Sequence, residues 1–424
     1  MGFGFGITAL ISLGYLSLLR FPFLLTILVW ASIFSMAVLF GAAGYFSYEK
    51  AKEWDDAEPQ KFSDNAIKYT KFAAYGFYAL GVTVLVVSCC LVRQIQLAIG
   101  CVKAAGKAIN NMVLILLVPI LQTIGLIVFW AVWSYYAVHL ASLGEITTRD
   151  LPVGVDGTEI AVRQFEFNDE LVVRCGWFML FCLFWTAGFI VAVGDMVVAM
   201  AVSKWYFTPN KSTVSSLTVV SSMTTTVIFH LGTCAYGSLI ISIIKLIRTV
   251  IAKIQKKVAE MTNQSIANCL LCCCQCFFCY LESCMKFINK NAYIQCAIFG
   301  TPFCQSGRKA FFLILRNAFR IAAVSYVSAA VLAIGKLFIS SVTTVVAYFV
   351  MMEQIEDDRL NHVAGPLVIV FFISYVLADM FMDVFEVGIA AILHCFVADE
   401  EMFSGNARYA DGEWSEYINA NSER

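Results

Sequence analysis

Ionisable side chains that stand inside long apolar runs are the residues of this chain with chemistry to perform. Asp379, Asp383 and Glu386 follow one another at steps of four and three residues, so on a helix they share a face with Tyr375. Asp195, His230 and Lys336 stand in three other apolar runs. An ionised side chain in hydrocarbon costs about 2.5–3.5 kcal/mol on insertion scales, so each of these groups must meet a partner, water or a proton. Two readings of the acidic face stay open. Either Lys336 bridges to one of its acids, or the face lines an aqueous path that concentrates organic cations or exchanges protons. Asp195 differs because Gly188 and Gly194 beside it let another backbone approach, which makes it the leading candidate for a counter-charge to a bound cation.

Aromatic rings are the natural companions of such a carboxylate, because a ring face attracts a cation within about 6 Å of its centroid. The chain holds 35 Phe, 17 Tyr and 8 Trp, and Trp177, Trp185, Trp205, Tyr206 and Tyr236 fall on apolar runs with polar interruptions. Trp205 and Tyr206, beside Lys204 at the end of a run, read as an interfacial belt. Trp185 and Tyr236 lie inside their runs next to small residues, where packing and membership of an aromatic cage are the two alternatives.

The elements that must position these groups follow from composition. Of 424 residues 60% are hydrophobic and 14% are charged, against roughly 45–50% and about 25% in soluble domains. This balance demands an all-α, polytopic membrane helix bundle without a sizeable soluble domain. A net charge of -1 offers no basic face to nucleic acid. The four histidines, at 139, 230, 362 and 394, are scattered, and no nucleophile elbow or phosphate loop is present, so no enzyme, cofactor or metal is expected. GFGFG near the start lacks the preceding strand that a dinucleotide fingerprint requires.

A bilayer core needs about 20 apolar residues per helix. Residues 3–19, 22–46, 72–92, 112–140, 172–202, 227–250, 318–350 and 364–397 meet or approach this, with Pro119, Gly188 and Gly194 expected as kinks. The first run has no small-residue cleavage site and reads as a retained span. Arg93, Lys103 and Lys107 put the connection before residue 112 in the cytosol, as do Arg308, Lys309, Arg316 and Arg320 for the one before 321. The acidic connections at 145–170 and 353–359 are then outside, the tail after 397 inside, and the amino terminus outside. Eight spans break the parity of this scheme, so a ninth is required. Residues 205–226 and 266–284 are the candidates, and the second is favoured although it leaves Arg248, Lys253, Lys256 and Lys257 outside. Asn210 and Asn263 each open an Asn-X-Ser sequon, so glycosylation reports which side each faces. The expected organisation is a first helix group over 1–250, a Cys-rich connecting region over 251–317 with the candidate extra span, the last two spans over 318–397 and a cytosolic tail over 398–424.

Nine of the sixteen cysteines lie between Cys269 and Cys304. Two C-x-x-C pairs between Cys269 and Cys279 are only three residues apart, too close for a zinc ribbon with its spacing of about 15–20. S-acylation of juxtamembrane thiols and unmodified cysteines in a packed helix are the remaining readings.

Residues 289–304, Asn-Lys-Asn-Ala-Tyr-Ile-Gln-Cys-Ala-Ile-Phe-Gly-Thr-Pro-Phe-Cys, resemble the signature of the choline transporter-like family. The likeness extends to Phe184–Val193, Lys204-Trp205-Tyr206, His230–Leu239, Arg248, the cluster Cys272-Cys273-Cys274, Asn317, Gly335-Lys336 and Cys395-Phe396 with Asp399 and Glu401. Two features depart from it. The family commonly carries an Asp where this chain has Ala390, and this chain begins at what looks like the family's second helix, as a short form or a truncated product. The resemblance implies a solute carrier of the plasma membrane that moves choline, ethanolamine or a similar amine cation independently of sodium. A quaternary ammonium donates no hydrogen bond, so ring faces and a carboxylate must recognise it. Trp177, Trp185, Asp195, Tyr236, Asp379 and Asp383 are the residues expected to do so. A non-transporting membrane scaffold and a passive cation channel are the alternatives.

Overall fold

A computed structural model of the chain describes residues 11, 14–15, 22–56, 63–153, 158–166, 170–260, 265–354, 364–403 and 407–410. Among them are eleven α-helices: α1 (Pro22–Asp55), α2 (Asp64–Cys90), α3 (Val92–Asn111), α4 (Leu117–Ala141), α5 (Glu170–Phe207), α6 (Leu217–Thr225), α7 (Leu231–Glu260), α8 (Ser265–Phe299), α9 (Phe303–Arg316), α10 (Ala318–Gln354) and α11 (Ala364–Met402). Water is absent from a bilayer core, so a spanning backbone must satisfy its own hydrogen bonds, and helices of this length do so.

Among the described residues eight stretches are long and apolar enough to cross a membrane, in agreement with a bundle of about nine spans. Residues 3–19, read as a further span, lie almost wholly outside the described residues. Of the two candidates for a ninth span, the Cys-rich segment lies in a stretch of α8, Cys269–Phe299, that is long and apolar enough to cross a membrane. Residues 205–226 are not a span of their own. Helix α5 ends at Phe207, a 3-10 turn follows at Lys211–Thr213, and α6 runs through a π turn (Thr226–His230) into α7 as one apolar stretch. Helices α3 and α9 alternate polar and apolar residues too often to span. The all-α expectation needs one addition, an antiparallel hairpin of β1 (Glu145–Val153) and β2 (Thr158–Glu166) with Glu145 opposite Glu166.

The chain divides into two compact units. The first combines Met1–Val113, Val202–Ser216 and Leu313–Arg424. In it α3 lays a face of small residues, Ala98, Ala105 and Ala108 among them, against α11, where a Cβ on Gly388 would lie 3.9 Å from that of Ala105. Cys101 is buried on that face, and burial pushes its thiol well above the ordinary range. Arg320 pairs with Glu400 at 2.7 Å and Arg316 with Glu401 at 3.0 Å near the end of α11.

The second unit combines Leu114–Ala201 and Leu217–Phe312. Its helices are tied by side chains that reach a neighbour's carbonyl. Trp133 donates to Met179 at 2.9 Å, Gln122 to Val191 at 2.9 Å and Trp185 to Ala235 at 3.0 Å. Gly188 is a close-packing point, with Ser238 at 3.4 Å from where a Cβ would lie. At Gly194 the approaching group is the amide of Gln122, a side chain and not a backbone.

The first unit also settles which helix ends lie together. Asp399 of α11 accepts from the Tyr206 hydroxyl at 3.1 Å and the Tyr409 N–H at 2.8 Å, so the carboxyl end of α5 and the tail beyond α11 share one side. The charge rule expects the tail inside, which would put Asn210 on the cytosolic side; Asn263 lies outside the described residues. The Asn210 side chain is in any case engaged, accepting from the Ser212 hydroxyl at 2.6 Å. The expected result in glycosylating cells is a glycosidase-sensitive mass shift lost in Asn263→Gln and retained in Asn210→Gln. The four cations that this orientation leaves outside are partly engaged: Arg248 pairs with Glu282, and Lys253 stands 5.1 Å over the Trp177 ring.

Candidate functional site

The signature segment is the place to start, because its chemistry converges on one glycine. Asn289 of α8 donates its amide N–H to the Gly237 carbonyl at 2.7 Å, and both groups are removed from water. A Cβ at Gly237 would overlap the Tyr293 hydroxyl and stand 2.9 Å from Phe303. Tyr236 stacks on Phe303 with centroids 5.3 Å apart, and Tyr293 meets the same ring at 5.9 Å. Gly300 ends α8 at φ 64°, a left-handed cap that closes the helix on the Cys296 carbonyl at 2.8 Å and redirects the chain into α9.

One level along lies a cluster of Ala192, Met196, Cys234, Tyr293 and Cys296, flanked by Phe189 and Phe303. Helices α5 and α7 run antiparallel here, with Gly188 against Ser238 and Cys234 bonded to the Ala192 carbonyl at 3.6 Å. The same register carried one turn further brings Asp195 level with the π turn. Asp195 is half-buried, and its charge reaches both Cys234 and Tyr293. From the π turn, His230 Nδ1 meets the Cys296 thiol at 3.3 Å, and the buried Thr226 hydroxyl has no hydrogen-bond partner among the described residues. A π turn widens the helix by one residue and commonly marks a functional position. Asp195 and His230 thus stand near one level of the second unit, with the Thr226 hydroxyl about a turn beyond and the Tyr293 phenol to the other side, beside Gly237.

The expected binding residues divide between the units. Trp177, Trp185, Asp195 and Tyr236 belong to the second, Asp379 and Asp383 to the first. Within the second they do not form one cage. Trp185 and Asp195 are ten residues apart on α5, about 15 Å at 1.5 Å per residue. The Trp177 face carries the Lys253 ammonium, and the Trp185 N–H is bound to Ala235. Tyr236 adjoins Trp185 through that bond and is 47% exposed. Lys336 of α10 pairs with Asp379 of α11 at 2.5 Å, so the bridging alternative holds for that acid, while Tyr375, Asp379 and Asp383 are all exposed along one face of α11 as their spacing predicts. Gln122 and the π turn are neighbours that the sequence did not single out, while Cys296 and His230 entered only as parts of the family-like segments and, for His230, for its charge.

All sixteen cysteines are free thiols. Cys269, Cys272, Cys273, Cys276 and Cys279 are exposed on α8, and among the described residues no group of three or more His, Cys, Asp or Glu is arranged to hold a metal ion.

Comparison with known proteins gives this site its context. A family model described as "Plasma-membrane choline transporter" matches residues 75–401. Choline transporter-like 2 of Anopheles gambiae is 38% identical over 224 residues, covering 53% of this chain and 28% of that protein. Choline transporter-like protein 2 of Dictyostelium discoideum is 28% identical over 418 residues, covering 94% and 63%. Choline transporter-like protein 5-B of Danio rerio is 29% identical over 453 residues, covering 95% and 64%. The chain therefore spans less than two thirds of the length of each of these relatives.

Proposed function

The chain belongs to the plasma-membrane choline transporter family, and from that premise we propose that it carries choline or a related small organic cation, ethanolamine included, by facilitated alternating access. It is an integral multi-pass membrane protein. The observation that carries the finer reading is Asp195, a half-buried carboxylate within electrostatic reach of Tyr293 and Cys234, beside a glycine occupied by the Gln122 amide. A quaternary ammonium is bound by charge and by ring faces, and Asp195 with Tyr293 supplies one of each. Ethanolamine, a primary ammonium, also donates hydrogen bonds, for which Asp195 and the Thr226 hydroxyl are acceptors. Trp185 and Tyr236, further along α5 and α7, form a second aromatic stop on the path. The π turn gives α6 and α7 a break about which one half of the stretch can tilt, the kind of interruption on which alternating access relies. On α11, Asp383, beside Asp379 and its Lys336 partner from α10, gives the first unit an acidic face that draws cations.

The charge requirement is tested by melting the purified full chain with choline, with ethanolamine and with 3,3-dimethyl-1-butanol, which copies the shape of choline without its charge. Choline and ethanolamine raise the melting temperature and the neutral alcohol does not; ligand at ~100 times its dissociation constant adds about 2.7 kcal/mol. An equal response to the alcohol, or none to either amine, counts against Asp195 as the counter-charge.

A further inference from the structure

The end of α5 builds a second place for an ammonium group and fills it with a lysine of its own loop. The 3-10 turn at Lys211–Thr213 returns the Lys211 side chain over the last residues of α5. Its Nζ lies 5.0 Å from the Trp205 ring centroid and 5.2 Å from that of Tyr206. The same Nζ donates to the Trp205 carbonyl at 3.2 Å and to the Tyr206 carbonyl. Both rings are only 1% exposed. The loop is held from below by Asn111, whose amide donates to the Lys211 carbonyl at 3.3 Å.

Behind the rings stands a carboxylate with capacity to spare. Asp399 is fully buried; one oxygen accepts from Tyr206 and Tyr409, and among the described residues Oδ1 has no hydrogen-bond partner, nor has the buried Trp205 indole N–H. The charges of Lys211 and Asp399 both reach the Cys395 thiol, which sits 3.5 Å from Ser203. Two ring faces, two carbonyl oxygens and a nearby carboxylate are the groups that recognise an alkylammonium ion. A cap on the last carbonyls of a helix needs none of the rings and no carboxylate.

We propose that the Trp205–Tyr206 cradle is an alkylammonium subsite whose resident occupant is the Lys211 ammonium, displaced by a transported cation as it passes this end of α5. The proposal rests on the reading of the chain as a carrier of small organic cations. Half-buried and on a short loop, Lys211 competes at the high effective concentration of a tethered group. A free cation is therefore held only in passing, which favours release over retention.

The test is made in an Asp195→Asn background, so that the site on α5 level with the π turn contributes nothing. Purified full-length Asp195→Asn and Asp195→Asn/Lys211→Ala are melted against ethylammonium and choline, with sodium chloride at equal ionic strength as control. Removal of Lys211 lowers the melting temperature, and the amines restore it saturably in the double variant only. Lys211→Met, which keeps the aliphatic stem, replaces Lys211→Ala if the latter fails to fold and behaves the same way. No saturable stabilisation of either double variant, or an equal one by sodium, overturns the proposal and leaves Lys211 as a helix cap. This melt needs no transport, so it stands apart from failure of the carrier reading, which would show as absent choline stabilisation in the wild-type chain.

Discussion

Asp195→Asn lowers saturable choline uptake by at least about tenfold while the folded yield stays unchanged. Tenfold corresponds to about 1.4 kcal/mol, well inside the roughly 4 kcal/mol that two unit charges 4 Å apart exchange at an effective dielectric of 20. The substitution keeps size and hydrogen-bonding capacity, so it removes the charge and little else. Asp195 is half-buried, and its charge reaches Tyr293 and Cys234, whose own helices are tied to α5 by other contacts. Size-exclusion profiles of the two proteins should therefore overlay. Uptake by Asp195→Asn equal to wild type removes this carboxylate from the mechanism, and Asp195→Glu, which restores the charge on a longer stem, should recover part of the loss.

Gly237→Val separates the two helices that the signature segment joins. A Cβ at this position would overlap the Tyr293 hydroxyl and crowd Phe303, and the shift needed to relieve that also strains the Asn289 bond to the Gly237 carbonyl. Overpacking costs about 1–3 kcal/mol, and a bond to a buried partner about 1 kcal/mol more. The expected result is a clear fall in melting temperature in detergent and a lower yield of monodisperse protein. Gly232→Ala is the matched control, since a Cβ there meets nothing within 4 Å, and it should be neutral or slightly stabilising. Equal melting temperatures for Gly237→Val and the control would mean that the segment packs elsewhere.

Spans were legible because membranes select for a simple property, a long apolar stretch, and even the cysteine-laden α8 satisfies it. Charge parity asked for one more crossing, since each additional crossing reverses the side of every later loop, and α8 is long and apolar enough to be it. The hairpin at 145–166 was not legible, because it sits in a connection whose charge, not its alternation, dominated the reading. Gly194 marked a close approach, yet nothing local announces that Gln122, more than seventy residues earlier, supplies the occupant. The occupancy of the Trp177 face by Lys253 is non-local in the same way, and it is what separates a ring that looks available from one that is. Lys336 and Asp379 were foreseen as one of two alternatives, because a charge deep in an apolar helix has few partners to choose from. The π turn has no sequence code of its own. It arises where a helix accommodates its neighbours, and Ser221–Thr226, rich in hydroxyls, only hinted at irregularity.

Uptake of radiolabelled choline into liposomes bearing the purified chain tests the carrier most directly. Saturable entry, competed by unlabelled choline and by ethanolamine and unaffected by replacing sodium, is the predicted result. Entry that rises linearly with concentration, or that equals empty liposomes, contradicts it.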